Sequence, residues 1–146
     1  MPAAIAEPSV TGPSDTGIAP PGSPEGGIRL LLRAEGAAAL AIAVCAYAWL
    51  GLSWWWFAAL FLVPDVSFAA YLFGPRIGAA AYNAAHSYVA TLGLALAGLA
   101  MSDVPLLAIA AIWTAHVGFD RMLGYGLKYP SGFHDTHLGR IGRARA

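Results

Sequence analysis

Residues 104–123 read VPLLAIAAIWTAHVGFDRML. From Val104 to Trp113 no charged side chain occurs, and then His116, Asp120 and Arg121 arrive together near the end. A helix rises about 1.5 Å per residue and the hydrocarbon core of a bilayer is about 30 Å thick, so a run of this length matches one crossing. Polar groups at its end are expensive in lipid and tolerable only against protein or water. The stretch therefore predicts a transmembrane helix whose polar end meets a polar interior.

Working outward, three more runs have the same length and character: Ile28 to Leu50, Ser53 to Phe73 and Ile77 to Met101. The connections are Gly51-Leu52-Ser53, Gly74-Pro75-Arg76 and Ser102-Asp103. Links that short make consecutive helices antiparallel neighbours. The expectation is an all-α membrane protein, a four-helix up-down-up-down bundle over 28–123. Residues 1–27 are rich in Pro, Gly, Ser and Thr and predict a disordered cytoplasmic tail without the features of a signal peptide. Residues 124–146 are too polar and broken to span again and predict a cytoplasmic cap and tail.

Composition agrees, with 58% hydrophobic and 11% charged residues. That balance needs a lipid bilayer as solvent. A net charge of zero and the lack of a basic block argue against nucleic acid as a partner. Cys45 is the single cysteine and has no intrachain partner for a disulfide. Arg29, Arg33, Arg76, Arg121, Lys128, Arg140, Arg143 and Arg145 all fall at one end of the expected spans, while the opposite loops carry Trp49, Trp54, Trp55 and Trp56 but no Lys or Arg. Basic residues near span ends stay on the cytoplasmic side, so both termini are expected there. The Trp54 end is so poor in polar residues that no pocket is expected at it. Small residues spaced by four, Gly74 with Gly78, Ala80 with Ala84 and Gly93 with Ala97, predict close helix packing.

Inside the spans stand Glu35, Asp65, Asn83, His86, His116, Asp120 and Arg121. Counted from the cytoplasmic end, all lie in the same half of the bundle, on four different helices. Asn83 with His86, Tyr82 with His86 and His116 with Asp120 are three or four apart, so each set shares a face. Pro64 removes a backbone hydrogen bond beside Asp65 and should kink the second helix there. Two imidazoles and several carboxylates on facing helices suit a divalent transition metal such as zinc, iron or manganese. On that reading His86, His116 and Asp120 are metal ligands, Asp65 is a ligand or catalytic group, and Glu35 is a catalytic base acting on a metal-bound water. Asn83 and Arg121 support the site, joined from the cap by His137 and Asp135. The same residue types also serve a proton- or ion-coupled transporter, expected as a homo-oligomer because one bundle offers little room. They serve equally a structural or assembly subunit in which Arg121 pairs with Asp120 or Glu35, and the histidines with hydroxyls of Tyr82, Ser87 or Thr114.

LLRAEG, PDVSFAAYLFGPRIGAAAYNAAH and HVGFDRMLGYGLKYPSGFHDTHLGRIG resemble the DUF4260 family of small bacterial membrane proteins over about residues 29–142. The resemblance implies a compact four-helix protein of the bacterial inner membrane and supplies no reaction. It implies that Glu35, Asp65, Asn83, His86, His116, Asp120, Arg121, Asp135, Thr136 and His137 match the family's polar pattern, whereas His134 is less typical of it. The functional expectation is a buried polar site in the cytoplasmic half, belonging to a metal-dependent membrane enzyme that acts on a lipid or other hydrophobic small molecule.

Overall fold

A computed structural model describes residues 26–131 and 133–141. The tail expected over 1–27 lies outside the described residues except for Gly26 and Gly27, which open the first helix. Helix α1 runs Gly26–Trp49, α2 Trp54–Leu60, α3 Pro75–Ala85, α4 Tyr88–Met101 and α5 Val104–Leu123, with a 3-10 stretch Val63–Phe73 between α2 and α3. Strands β1 (Asp135–Thr136) and β2 (Gly139–Arg140) pair antiparallel, Asp135 opposite Arg140 and Thr136 opposite Gly139. The all-α expectation is thus amended by one small hairpin in the C-terminal cap.

Local chemistry sets each boundary. Ser53 and Ser87 accept hydrogen bonds from the amides of Trp55 (3.4 Å) and Val89 (3.1 Å), and Asp103 from that of Leu106 (2.8 Å), as helix N-caps do. Gly124, at φ +97°, closes α5 in the left-handed conformation that glycine adopts without penalty. Pro64 does more than kink: α2 ends at Leu60, and the chain continues as a tighter 3-10 coil in which the Asp65 amide donates to Leu62 O at 3.1 Å. The third run, expected as one helix, is broken. His86 caps the end of α3, Ser87 the start of α4, and the two helices meet at 41°.

The α5 helix is the hub, packing against α1, α4 and α2, while α3 packs on the 3-10 stretch. A Cβ on Gly118 would lie 2.7 Å from Leu40 N and one on Gly36 2.5 Å from Arg121 Cβ, so both glycines are needed for α1 and α5 to approach. Gly78 lies against the Tyr71 ring, but Gly93 faces open space, so the packing role expected of Gly93 is not met. The core is built on Tyr47, Ala108 and Ile112, flanked by Phe57, Leu60 and Phe61.

The outside is apolar as well. Trp49 and Leu72 are 88% and 87% exposed, among many large hydrophobics on the outer surface. Water would penalise so much apolar surface. Helices α1 and α5, and α2 with the 3-10 stretch, are long and apolar enough to cross a membrane, and the bent α3–α4 pair makes a fourth if it is one span. Three or four such helices suit a lipid bilayer environment.

At the Trp54 end an apolar recess of about 380 Å³ does open, lined by Tyr47, Trp56, Pro105 and their neighbours. The expectation of no pocket there is corrected, although the recess is apolar, in keeping with the scarcity of polar residues. Ordinary side-chain packing around a short α2 leaves it.

Candidate functional site

The break at His86 brings four side chains to one point. Asp65 comes from the first turn of the 3-10 stretch, His86 from the end of α3, and His116 and Asp120 from one face of α5. One ligand-type atom from each lies within 4.8 Å of all the others. His86 Nε2 is 3.2 Å from His116 Nε2, 3.4 Å from Asp65 Oδ1 and 3.6 Å from Asp120 Oδ2, and His116 Nε2 is 3.4 Å from Asp65 Oδ1. Both histidines are buried, whereas the side chains of Asp65 and Asp120 keep 34% and 15% of their exposure.

Tyr82 orients this group. Its carbonyl oxygen lies 3.0 Å from His86 Nδ1 and accepts only from an N–H, so in the neutral ring the proton sits on Nδ1 and Nε2 turns a lone pair to the centre. The Tyr82 hydroxyl donates to Asp120 Oδ2 at 3.0 Å, and its ring stacks on His86 at 3.7 Å. Phe61 meets His116 edge to face, and Phe68 stacks on Tyr82, so aromatic walls surround the polar centre. Two imidazole nitrogens and two carboxylates converge, and among the described residues the Tyr82 hydroxyl is the one donor from outside the four. Such an acceptor-rich set fits a divalent cation, and His86 carries the second hydrogen bond that orients a metal-ligating histidine. His116 Nδ1 is buried without a hydrogen bond and lacks that support.

The remaining candidates are placed around the four. Asn83 Nδ2 donates to Lys128 O at 2.9 Å and its Oδ1 accepts from Lys128 N at 2.7 Å, fastening the cap to α3. Arg121, 8% exposed, donates to Tyr125 O at 2.8 Å and to His86 O at 3.0 Å. Among the described residues it binds these carbonyls, not the carboxylates of Asp120 or Glu35 that the structural-subunit reading would pair with it. The hydroxyls of that reading are engaged elsewhere: Ser87 caps α4 and Thr114 donates to Ala110 O. Asp135 accepts from Ser131 in the hairpin at 2.9 Å. Glu35 is exposed and does not join the four; it lines a separate cavity of about 290 Å³ with Arg121 and His137. Depth along a helix places Glu35 level with the site, but its direction around α1 points elsewhere.

The cap is held by buried polar groups. His137 Nδ1 accepts from the Leu127 amide at 2.8 Å, and burial, followed by the Arg121 charge, holds its pKa below the ordinary histidine value. Lys128 is buried, donates to Phe133 O at 2.8 Å and lies 3.8 Å over the Phe133 ring, with its pKa lowered by burial. Sequence reasoning left out Tyr82 as an orienting residue, although its four-residue spacing from His86 was the available signal. An apolar recess of about 210 Å³ lies between Val63, Pro64 and Trp113, and it shares Leu60, Ile109 and Ile112 with the recess at the Trp54 end.

Neither a curated protein nor a solved structure matches the chain. All four clustered residues, with Tyr82, Arg121 and the hairpin, fall inside residues 29–141, the part that matches the family described as "Domain of unknown function (DUF4260)". The chain belongs to the DUF4260 family.

Proposed function

We propose that the chain is a four-span membrane protein in which Asp65, His86, His116 and Asp120 hold one divalent transition metal, and that it uses this centre on a lipid or other hydrophobic molecule. The observation that carries the reading is the approach of four ligand atoms within 4.8 Å from three segments of the chain. An up-down-up-down course with both termini cytoplasmic fits the one-sided distribution of Arg and Lys.

A divalent ion at this point supplies Lewis-acid polarisation of a substrate oxygen. The protein residues divide the other tasks. His86 and Asp120 are held by Tyr82 through its carbonyl and its hydroxyl. Asp65 is the most exposed of the four, so the carboxylate oxygen not turned to the histidines is the one a substrate can reach. Phe61 and Phe68 keep water from the rear of the site. An apolar recess lined by Val63 and Pro64, the residues just before Asp65 in the chain, offers space for hydrocarbon.

A ligand that binds only the folded state raises its stability, by about 2.7 kcal/mol at a hundred times its dissociation constant. Adding zinc, iron(II) or manganese(II) to the metal-stripped protein in detergent should therefore raise its melting temperature, with no rise in His86→Ala, His116→Ala. Equal shifts in both proteins would sink the metal reading.

The 3.2 Å separation of the two Nε2 atoms supports a second reading, a proton shared between the histidines as part of a proton-coupled carrier. Proton flux into liposomes that disappears in Asp65→Asn would favour it; vesicles that stay tight under a pH gradient would count against it.

A further inference from the structure

Helices α1 and α4 both lean on α5 and make few contacts with each other, and two cavities lie along α5 between them. The two differ in chemistry. One is the cavity of about 290 Å³ that Glu35, Tyr88, Arg121 and His137 line, and the other an apolar furrow of about 300 Å³ between Ala43 and Ala46 on α1, Ala95 and Leu99 on α4, and Ala110 on α5. Gly36 at the polar cavity and Ala46 in the furrow are ten residues apart, about 15 Å along α1.

The polar end is rich in donors. Arg121 is a buried guanidinium, and Tyr88 Oη is buried with no hydrogen-bond partner, within electrostatic reach of both Arg121 and Glu35. His137 has Nδ1 occupied by the Leu127 amide, so its neutral ring keeps the proton on Nε2 as a donor. The first turn of α4, Ser87 to Val89, brings the positive end of a 14-residue helix to the same space. Facing these donors is one carboxylate, Glu35, exposed at the rim. Donors at the back, an acid at the rim and an apolar furrow farther along the same three helices match a single amphiphile.

We propose that these two cavities together seat one membrane phospholipid with an amine-bearing headgroup: its phosphate is held by Arg121, Tyr88 and His137, its ammonium by Glu35, and an acyl chain by the furrow between α1 and α4. The site is separate from the four-residue cluster and does not depend on a metal there. The two are joined through Arg121, which also donates to His86 O.

Native mass spectrometry of the delipidated full chain in detergent tests the proposal, with phosphatidylethanolamine, phosphatidylglycerol and inorganic phosphate as probes. One phosphatidylethanolamine should be retained about tenfold more tightly than phosphatidylglycerol, which lacks the amine. Glu35→Gln should abolish that preference. Tyr88→Phe should weaken both lipids about tenfold, and Ala46→Trp, at an exposed position that needs no repacking, should weaken both by a similar factor by filling the furrow. Equal retention of the two lipids by the wild type, variants that bind like it, or displacement of the lipid by inorganic phosphate would each overturn the proposal. Metal content measured on the same samples separates the two readings, since none of the three substituted residues belongs to the cluster. Lost lipid with metal retained defeats this proposal alone, and lost metal with lipid retained defeats only the metal reading.

Discussion

His137 shows how a single ring can hold the cap in place. Its Nδ1 accepts from the Leu127 amide while its own amide donates to Leu127 O at 3.1 Å, so the ring must be neutral at Nδ1 for the pairing to survive. Burial lowers its pKa in the folded protein, so the unfolded chain binds a proton first as pH falls. Stability from this group is complete above the unfolded value of about 6.5 and is lost as pH falls from there through the lower folded value. The expected outcome is a wild-type melting temperature advantage over His137→Gln that is largest near neutral pH and narrows below about 6.5; an advantage that grows on acidification would contradict the assignment. At this scale the sequence disclosed a good deal. Charged and imidazole groups inside apolar runs stand out because lipid penalises them, and spacing by three or four places them on shared faces. Glu35 lies apart from the four, which the sequence does not disclose because counting residues gives depth and not azimuth. Tyr88 passed unnoticed because a lone tyrosine inside an apolar run is ordinary, and only packing shows that its hydroxyl is buried and, among the described residues, unpaired.

Among the elements, α5 matters most, and its approach to α1 rests on Gly36 and Gly118. A methyl at Gly118 would meet backbone atoms of Leu40 and Gly36, which cannot rotate aside. Gly118→Ala should therefore cost about 1–3 kcal/mol, read as a lowered melting temperature, even though alanine favours helix. Unchanged or raised stability would show that the helices can part freely. Run lengths were legible from hydropathy because a bilayer fixes how much apolar helix is needed. The interruption at His86 was not, since an apolar run stays apolar across a break; Ser87, a good N-cap in the middle of the run, was its sign. Pro64 announced a disturbance but not its size, because the ring removes one hydrogen bond while neighbouring packing decides whether the helix bends or tightens into a 3-10 coil. The short hairpin left little trace in the sequence, as two-residue strands carry no periodicity.

Considered whole, the molecule is an apolar-surfaced assembly around one polar centre, with α5 supplying two of its four residues and contacting most of the other helices. The orientation proposed above has its own check. With Cys45→Ala as background, Leu52→Cys should react with an impermeant maleimide added outside intact cells, and Ala146→Cys only after permeabilisation; the reverse pattern would invert the topology. The central claim is the metal, and its most direct test is elemental analysis of the purified full-length protein beside His86→Ala, His116→Ala. The account predicts close to one transition-metal ion per wild-type chain, retained through purification or restored by reloading, and almost none in the double variant. A wild-type protein that neither carries nor takes up a metal, or a variant that holds as much, would contradict it.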